Sequence, residues 1–352
     1  MANYGVGIWG AGWVAGGHLA GYLAQPHCHV VAIGSGQLSS ARSLAERFKL
    51  GCPLYTDYSA FLEHPGLDIV SICTPHHLHP TNTIEAVRAG KHIFVEKPLA
   101  LTLADLYAMR DAVRRAGVRT AVGFVVRWTP LVTRMREMVR EGALGQIFMV
   151  DVDYWHSRVR PEQYRRRATG GSALLLGGCH AIDAARYITG LDPVEVTARS
   201  IQVLTSPDEP YEFDCVEACL VRYSNGAVGR ISAVVKGHFP YQFNIDLLGD
   251  RGTVRNNRVF IQGDAESQGF RSLPEPGPDS GEVGHHPFGD LIRHFLECIA
   301  AGEETRVGVE QAVLTHELCF AAMLSEQTGQ PVRLPLAERD QQAIHSLLSA
   351  WA

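Results

Sequence analysis

Four short stretches of this sequence hold residues whose type and spacing suit chemistry. The first is Gly10-Ala11-Gly12-Trp13-Val14-Ala15, a G-x-G-x-x-A pattern placed directly after the apolar run Gly5–Trp9. Gly10 permits a tight turn, Gly12 lets a pyrophosphate touch backbone, and small Ala15 lets the following helix lie close to a sheet. Trp13 and Val14 complete the turn, and the helix amino terminus offers phosphate its unpaired N–H groups and the positive end of its dipole. The second stretch is Thr74-Pro75-His76-His77-Leu78-His79, the third is Glu96-Lys97-Pro98, and the fourth is Gly178-Cys179-His180-Ala181-Ile182-Asp183. A lysine at the carboxyl edge of a parallel sheet, partly desolvated and beside a cationic ring, loses its proton more easily than in water and can polarise or shuttle one. The plainer reading of Lys97 is a surface cation paired with an acid, worth little. His180 carries an imidazole that titrates near neutrality, which suits proton transfer; a packing role on a helix is the alternative. Neither the histidines at 76, 77 and 79 nor the pair His285-His286 has the further ligands a metal requires, so no metal site is expected.

These residues need elements to position them. Strand-like runs at Gly5–Trp9, His29–Gly34, Asp68–Thr74, His92–Val95 and Thr120–Gly123 alternate with helical patterns at Ser40–Phe48, Thr81–Ala89 and Leu103–Ala116. Ser39 is the expected N-cap of the first of these helices, and Gly90 and Gly117 stop the other two. The alternation specifies an α/β fold, a doubly wound parallel sheet with helices on both faces and ligands at the carboxyl ends of its strands. A dinucleotide-binding domain over 1–125 follows. The acid that normally holds the adenosine ribose, about 20 residues past the glycines, is missing, because the second strand ends Gly34-Ser35-Gly36-Gln37. Ser35 suits a ribose hydroxyl, a 2′-phosphate or a plain turn, and Arg42 could meet a phosphate. NAD and NADP both stay open, NAD being the first choice.

After residue 125 the pattern changes. Pro130 opens a helix that runs to Glu141, and Gln146–Trp155, Val194–Leu204, Phe213–Tyr223, Ala227–Lys236, Phe243–Leu248 and Thr253–Ile261 read as successive strands. Helices Phe288–Ala301 and Val309–Gln327 follow, and 126–352 is read as a second α/β domain. Composition narrows the function. With 46% hydrophobic residues, 20% charged residues and a net charge of −5, the chain can bury a large core and is not suited to nucleic acid or an anionic membrane. Eight cysteines without a C-x-x-C pair read as reduced thiols. No apolar run approaches the ~20 residues of a membrane span, and the strand starting within a few residues of Met1 leaves no room for a signal peptide. A cytoplasmic protein is expected.

Taken together, the G-x-G-x-x-A start, the stretch DIVSICTPHHLHPTNTIEAVRAGKHIFVEKPLAL and the later GGSALLLGGCHAIDAARYITG resemble the glucose-fructose oxidoreductase, inositol dehydrogenase and rhizopine catabolism superfamily, Gfo/Idh/MocA. The resemblance covers essentially the whole chain. It implies a Rossmann-like domain followed by a substrate-binding and oligomerisation domain with a large open, mainly antiparallel sheet, assembled as a homodimer or homotetramer. It also implies an NAD(P)-dependent oxidoreductase acting on a secondary alcohol or ketone of a sugar, cyclitol or polyol. Lys97 then sits at the nicotinamide end beside the substrate, with Glu96 near the cofactor ribose and the Thr74, Pro75, His76 and His79 loop over the cofactor. His180 becomes the general acid/base. Arg127 is placed near cofactor or substrate, and Tyr154, Trp155, His156, Cys179 and Asp183 near the sugar. Asp183, one helical turn beyond His180, can orient it, cap the helix or pair with Arg186. One departure stands out: the family's aspartate falls on Leu176. That loss admits an alternative within the superfamily, a redox-neutral glycosidase or lyase; the resemblance also admits a non-catalytic dinucleotide sensor, against which the retention of Lys97 and His180 argues.

Overall fold

A computed structural model describes residues 3–159, 161–203, 210–263, 269–278 and 283–350. The chain divides into two compact units, Met1–Val125 with Glu282–Val313, and Val126–Gly281 with Leu314–Ala352.

The first unit runs β1 (Tyr4–Trp9), α1 (Ala15–Leu23), β2 (Cys28–Gly34), α2 (Leu38–Arg47), β3 (Leu54–Tyr55), α3 (Tyr58–Leu62), β4 (Ile69–Ile72), α4 (His79–Arg88), β5 (His92–Val95), α5 (Leu103–Ala116) and β6 (Thr120–Val122). Its six strands pair in parallel in the order β3-β2-β1-β4-β5-β6. The central strands are apolar on both faces, and β4 is buried at every position, as a sheet covered by helices on each side demands. Strand order reverses beside β1, between β2 and β4, so the crevice of a doubly wound sheet opens at Gly10. The expected elements form, with shifted edges: α2 starts at Leu38 after Gln37, so Ser39 lies inside the helix instead of capping it. Thr102 caps α5 by accepting from Asp105 N at 3.1 Å, and Gly117 ends it at φ +65°. The short β3 and α3 were not anticipated, being too brief to show a period. Helix Phe288–Ala301 also belongs to this unit, whereas the sequence grouped it with 126–352. Its Phe288 ring lies 4.6 Å from His18, and its Phe295 ring 6.5 Å from Phe94.

The second unit contains α6 (Pro130–Arg140), β7 (Ile147–Trp155), α7 (Arg167–Gly170), a π-turn (Leu174–Gly178), α8 (Cys179–Thr189), β8 (Pro193–Ile201), β9 (Val216–Tyr223), β10 (Val228–Val234), β11 (Gln242–Gly249), β12 (Gly252–Arg255), β13 (Arg258–Ile261), β14 (Arg271–Ser272) and β15 (Val332–Arg333). The nine strands order β14-β13-β12-β11-β7-β10-β9-β8-β15 and are antiparallel except for β7 with β10. Side chains alternate: in β9, Glu217, Cys219, Val221 and Tyr223 are buried while Ala218, Leu220 and Arg222 are exposed. The run Thr253–Ile261 is two strands and not one, because Asn256, at φ +52°, turns the chain back; asparagine tolerates that left-handed conformation. The expected strand Val194–Leu204 is β8, which stops at Ile201; Leu204 lies outside the described residues. Helix Glu338–Ser349 was not anticipated.

All eight cysteines are free thiols. Burial pushes the Cys28 thiol up to about 11 and raises Cys52, Cys73, Cys215 and Cys319 as well. Among the described residues, no helix is long and apolar enough to cross a membrane and no cluster of His, Cys, Asp and Glu could hold a metal ion.

Candidate active site

In the first unit the sequence-predicted residues gather at the carboxyl ends of β1, β2, β4 and β5. Gly10 has φ +99° and donates its N–H to Gly34 O at 2.8 Å; a Cβ there would lie 2.5 Å from the Cys73 backbone. Only glycine fits. Gly12 meets nothing within 4 Å where a Cβ would stand, so the turn offers bare backbone, and Trp13 beside it is 58% exposed. Gly17 and His18 both donate their backbone N–H to Val14 O, which opens α1. Ser35 is half-buried, its N–H given to Tyr55 O at 3.0 Å. The turn is thus shaped for the pyrophosphate of a dinucleotide, with α1 pointing its amino terminus at the same place.

The loop after β4 and the E-K-P turn after β5 are tied together. Buried Thr74 donates its hydroxyl to Asn82 Oδ1 at 3.0 Å, and the loop continues through Pro75 to buried His76. His79 is fully buried, with Nδ1 2.7 Å from Pro98 O and Nε2 2.8 Å from Thr74 O. Burial lowers its pKa, against the two carbonyls, which favour the protonated ring. Glu96 is buried between Gly123, where a Cβ would come within 2.4 Å of its carboxylate, and His18, whose Nε2 lies 3.0 Å from Glu96 Oε1. Burial by itself would raise the Glu96 carboxyl; the His18 hydrogen bond and charge, with Lys97 and His79, bring it below its ordinary value. Half-buried Lys97 follows, its backbone N–H donated to Glu96 Oε2 at 3.2 Å.

His18 was missed from the sequence. It is fully buried, its Nδ1 lies 2.7 Å from Ser71 Oγ, and its ring stacks on Phe94 at 4.2 Å. The signal was present: a histidine on the apolar Ala15, Leu19, Tyr22 face of α1 needs polar partners inside.

In the second unit a different set assembles. His180, 5% exposed at the start of α8, stacks on Tyr154 of β7 at 6.1 Å, and Tyr154 in turn stacks on His156 at 6.4 Å. Burial holds the Tyr154 phenol well above its ordinary value, which keeps the hydroxyl neutral. Gly177 lets this ring close on the π-turn, since a Cβ there would fall 2.1 Å from it. Leu176, in the family's aspartate position, is buried within that turn. Glu217 of β9, also missed, accepts from Leu174 N at the start of the turn, and burial pushes its carboxyl up to about 7.

Three expectations are corrected. Trp155 lies on the opposite face of β7 from Tyr154, as a strand's period of two requires, and its indole N–H goes to Ser232 Oγ at 2.8 Å. Arg127 and Asp183 are joined to each other: Nε–Oδ2 is 2.7 Å and Nη2–Oδ1 2.5 Å, with both side chains buried. The carboxylate therefore anchors α8 to Arg127 instead of orienting His180, and Arg186 pairs with Asp192 at 3.0 Å. Cys179 is fully buried, its thiol donated to Leu175 O at 3.2 Å, which turns it back along the chain into the core.

Two family models match in sequence order. The oxidoreductase family with an NAD-binding Rossmann fold matches residues 4–124, and the GFO/IDH/MocA C-terminal domain matches 132–255. The chain belongs to the Gfo/Idh/MocA superfamily. It is 28% identical to levoglucosan dehydrogenase of Pseudarthrobacter phenanthrenivorans, over 82% of this chain and 83% of that protein. It is 27% identical to scyllo-inositol 2-dehydrogenase (NAD(+)) of Bacillus subtilis, over 88% and 90%. Among solved structures, levoglucosan dehydrogenase in complex with NADH and L-sorbose superposes with a TM-score of 0.86 at 26% identity, covering 96% of this chain and all of that one. As a member of this superfamily the chain is an oxidoreductase of the dehydrogenase type whose cofactor is a nicotinamide dinucleotide.

Proposed function

We propose that the protein moves hydride between a nicotinamide dinucleotide and a secondary alcohol or ketone of a sugar, cyclitol or related polyol. The observation that carries this reading is Lys97 held at the carboxyl end of β5 by the buried His18–Glu96 pair, in a chain whose relatives are named as dehydrogenases of such compounds. The first unit, 1–125 with helix Phe288–Ala301, serves the dinucleotide and the second unit the substrate. Gly10, Gly12, Val14 and Ser35 hold the dinucleotide, and Glu96 lies by its ribose. The bound nicotinamide supplies a hydride acceptor or donor.

The chain's own groups manage the proton. Oxidation of a carbinol releases a hydride from carbon and a proton from oxygen; in the second unit His180 has the imidazole suited to a general base, and in the first unit Lys97 has the side chain suited to steadying an alkoxide charge. Leucine at 176 removes a carboxylate from this work, so it falls to those two groups. Tyr154 and His156 offer a hydroxyl, an imidazole and flat apolar faces to a polyol. Reduction of NAD or NADP by a panel of polyols, followed as absorbance at the reduced nicotinamide, tests the reading. Turnover that persists in His180→Ala, or no reduction with any polyol, overturns it.

Assembly as a homodimer or homotetramer belongs to the same reading. Met149, Leu220, Val228 and Ile201 are 36%, 60%, 50% and 63% exposed on one face of the second sheet, an apolar surface for a second copy. Light scattering on wild type and Leu220→Glu tests this, and a monomeric wild type refutes it. A cytoplasmic site of action accords with the free thiols.

A further inference from the structure

We propose that the adenosine end of the dinucleotide site selects the 2′-phosphorylated coenzyme; this rests on the dinucleotide reading above. A cleft of about 300 Å³ opens beside the glycine turn, with Ala11 and Gly12 on one side and Ser39, Ser40, Ser43 and Arg47 of α2 on the other. It contains hydroxyls and a guanidinium and no carboxylate. Arg47 is placed by a second glycine: at Gly16, in the first turn of α1, a Cβ would fall 2.1 Å from Arg47 Nη2. Any larger residue at 16 would displace the guanidinium. The cation therefore lies across the opening turn of α1, next to backbone already shaped for phosphate.

The chemistry of the ribose decides between the two coenzymes. A 2′-hydroxyl is bound by a group that accepts a hydrogen bond from its O–H, normally a carboxylate at the end of the second strand. Here β2 ends at Gly34 and Ser35 follows, and the charged group lining the cleft is a guanidinium, which only donates. A phosphate monoester has the complementary character, oxygens that only accept and a charge near −2, and Arg with three serine hydroxyls can satisfy it. Arg42, exposed on the same helix, adds positive charge at longer range. The amino terminus of α2 adds the positive end of its dipole.

The test uses the whole protein and two probes without a nicotinamide, 2′,5′-ADP and 5′-AMP, titrated by calorimetry. The expected result is affinity at least about tenfold higher for 2′,5′-ADP, from one or two charge-assisted hydrogen bonds. Arg47→Ala should erase most of that ratio while leaving 5′-AMP within about twofold, and Ser35→Asp should reverse the order of the probes. Equal or tighter binding of 5′-AMP to wild type overturns the proposal, and so does an Arg47→Ala variant that weakens both probes alike, which would assign the guanidinium to the 5′-phosphate. Binding of neither probe overturns it together with the dinucleotide reading. Preference for 5′-AMP would overturn this inference alone.

Discussion

The two sheets present their candidate site residues from different places. In the parallel sheet Gly10, Ser35, Thr74 and Lys97 all stand one or two residues beyond a strand, after β1, β2, β4 and β5. In the mixed sheet Tyr154 and Glu217 lie within β7 and β9, and His180 lies on a helix covering one face. The reason is burial. A parallel strand apolar on both faces has no side chain to spare, so chemistry moves to its ends, where glycine turns and helix termini expose backbone. A sheet with alternating faces can turn individual side chains toward a pocket, and it must then hold them with partners from distant parts of the chain. Arg127 and Asp183 are such partners, 56 residues apart.

Four variants sharpen or break this contrast. The largest effect is expected from Lys97→Met, at a strand end: kcat should fall about 10²–10⁴-fold while dinucleotide affinity, measured by titration, changes little. Preserved turnover would remove the strand-end position from the chemistry. Arg127→Met strands a buried carboxylate and should cost about 3–5 kcal/mol in urea unfolding, whereas Arg127→Met with Asp183→Leu should recover most of the loss. A single variant that costs nothing would mean the second unit is not held by that pair.

Glu217→Gln comes next and depends on pH. The folded carboxyl sits at about 7 against an ordinary 4.5, so the folded state keeps a proton that the unfolded state releases. Stability from this group is full below 4.5 and is lost as pH rises through 7. The glutamine variant should be more stable than wild type at pH 8, on the order of 3 kcal/mol, and equal to it at pH 4.5. Unfolding midpoints across that range decide it; a difference independent of pH would place the ionisation elsewhere. The smallest effect is Thr102→Ala, loss of the α5 cap in the first unit, at about 1 kcal/mol in the same assay.

Legibility follows the same division. The turn at Gly10 and Gly12, the alternating strands and the E-K-P tripeptide could be read because each is a local pattern, with the constraint and the residues that meet it adjacent in sequence. The two-for-one error at 253–261 came from Asn256, whose left-handed turn is made without glycine between two β-rich tetrapeptides. Trp155 was grouped with Tyr154 because neighbours in sequence were read as neighbours in space, which a strand forbids. The fate of Arg127, Asp183 and Glu217 had no local signal, since each is decided by a partner far along the chain. His18 stood between these cases: its place on the apolar face of α1 was visible, its partners Ser71 and Glu96 were not.

Helix Phe288–Ala301 carries a consequence for biosynthesis. Its Phe288 and Phe295 close over His18 and Phe94, so a nascent chain that has emerged only as far as Val125 has every strand of the parallel sheet and lacks its lid of aromatic rings. The amino-terminal segment must wait, with that apolar surface wet, until the ribosome has delivered the later helix. Truncation after Val125 should therefore yield an aggregating fragment, and chaperone dependence should be greatest while the intervening second unit is being translated.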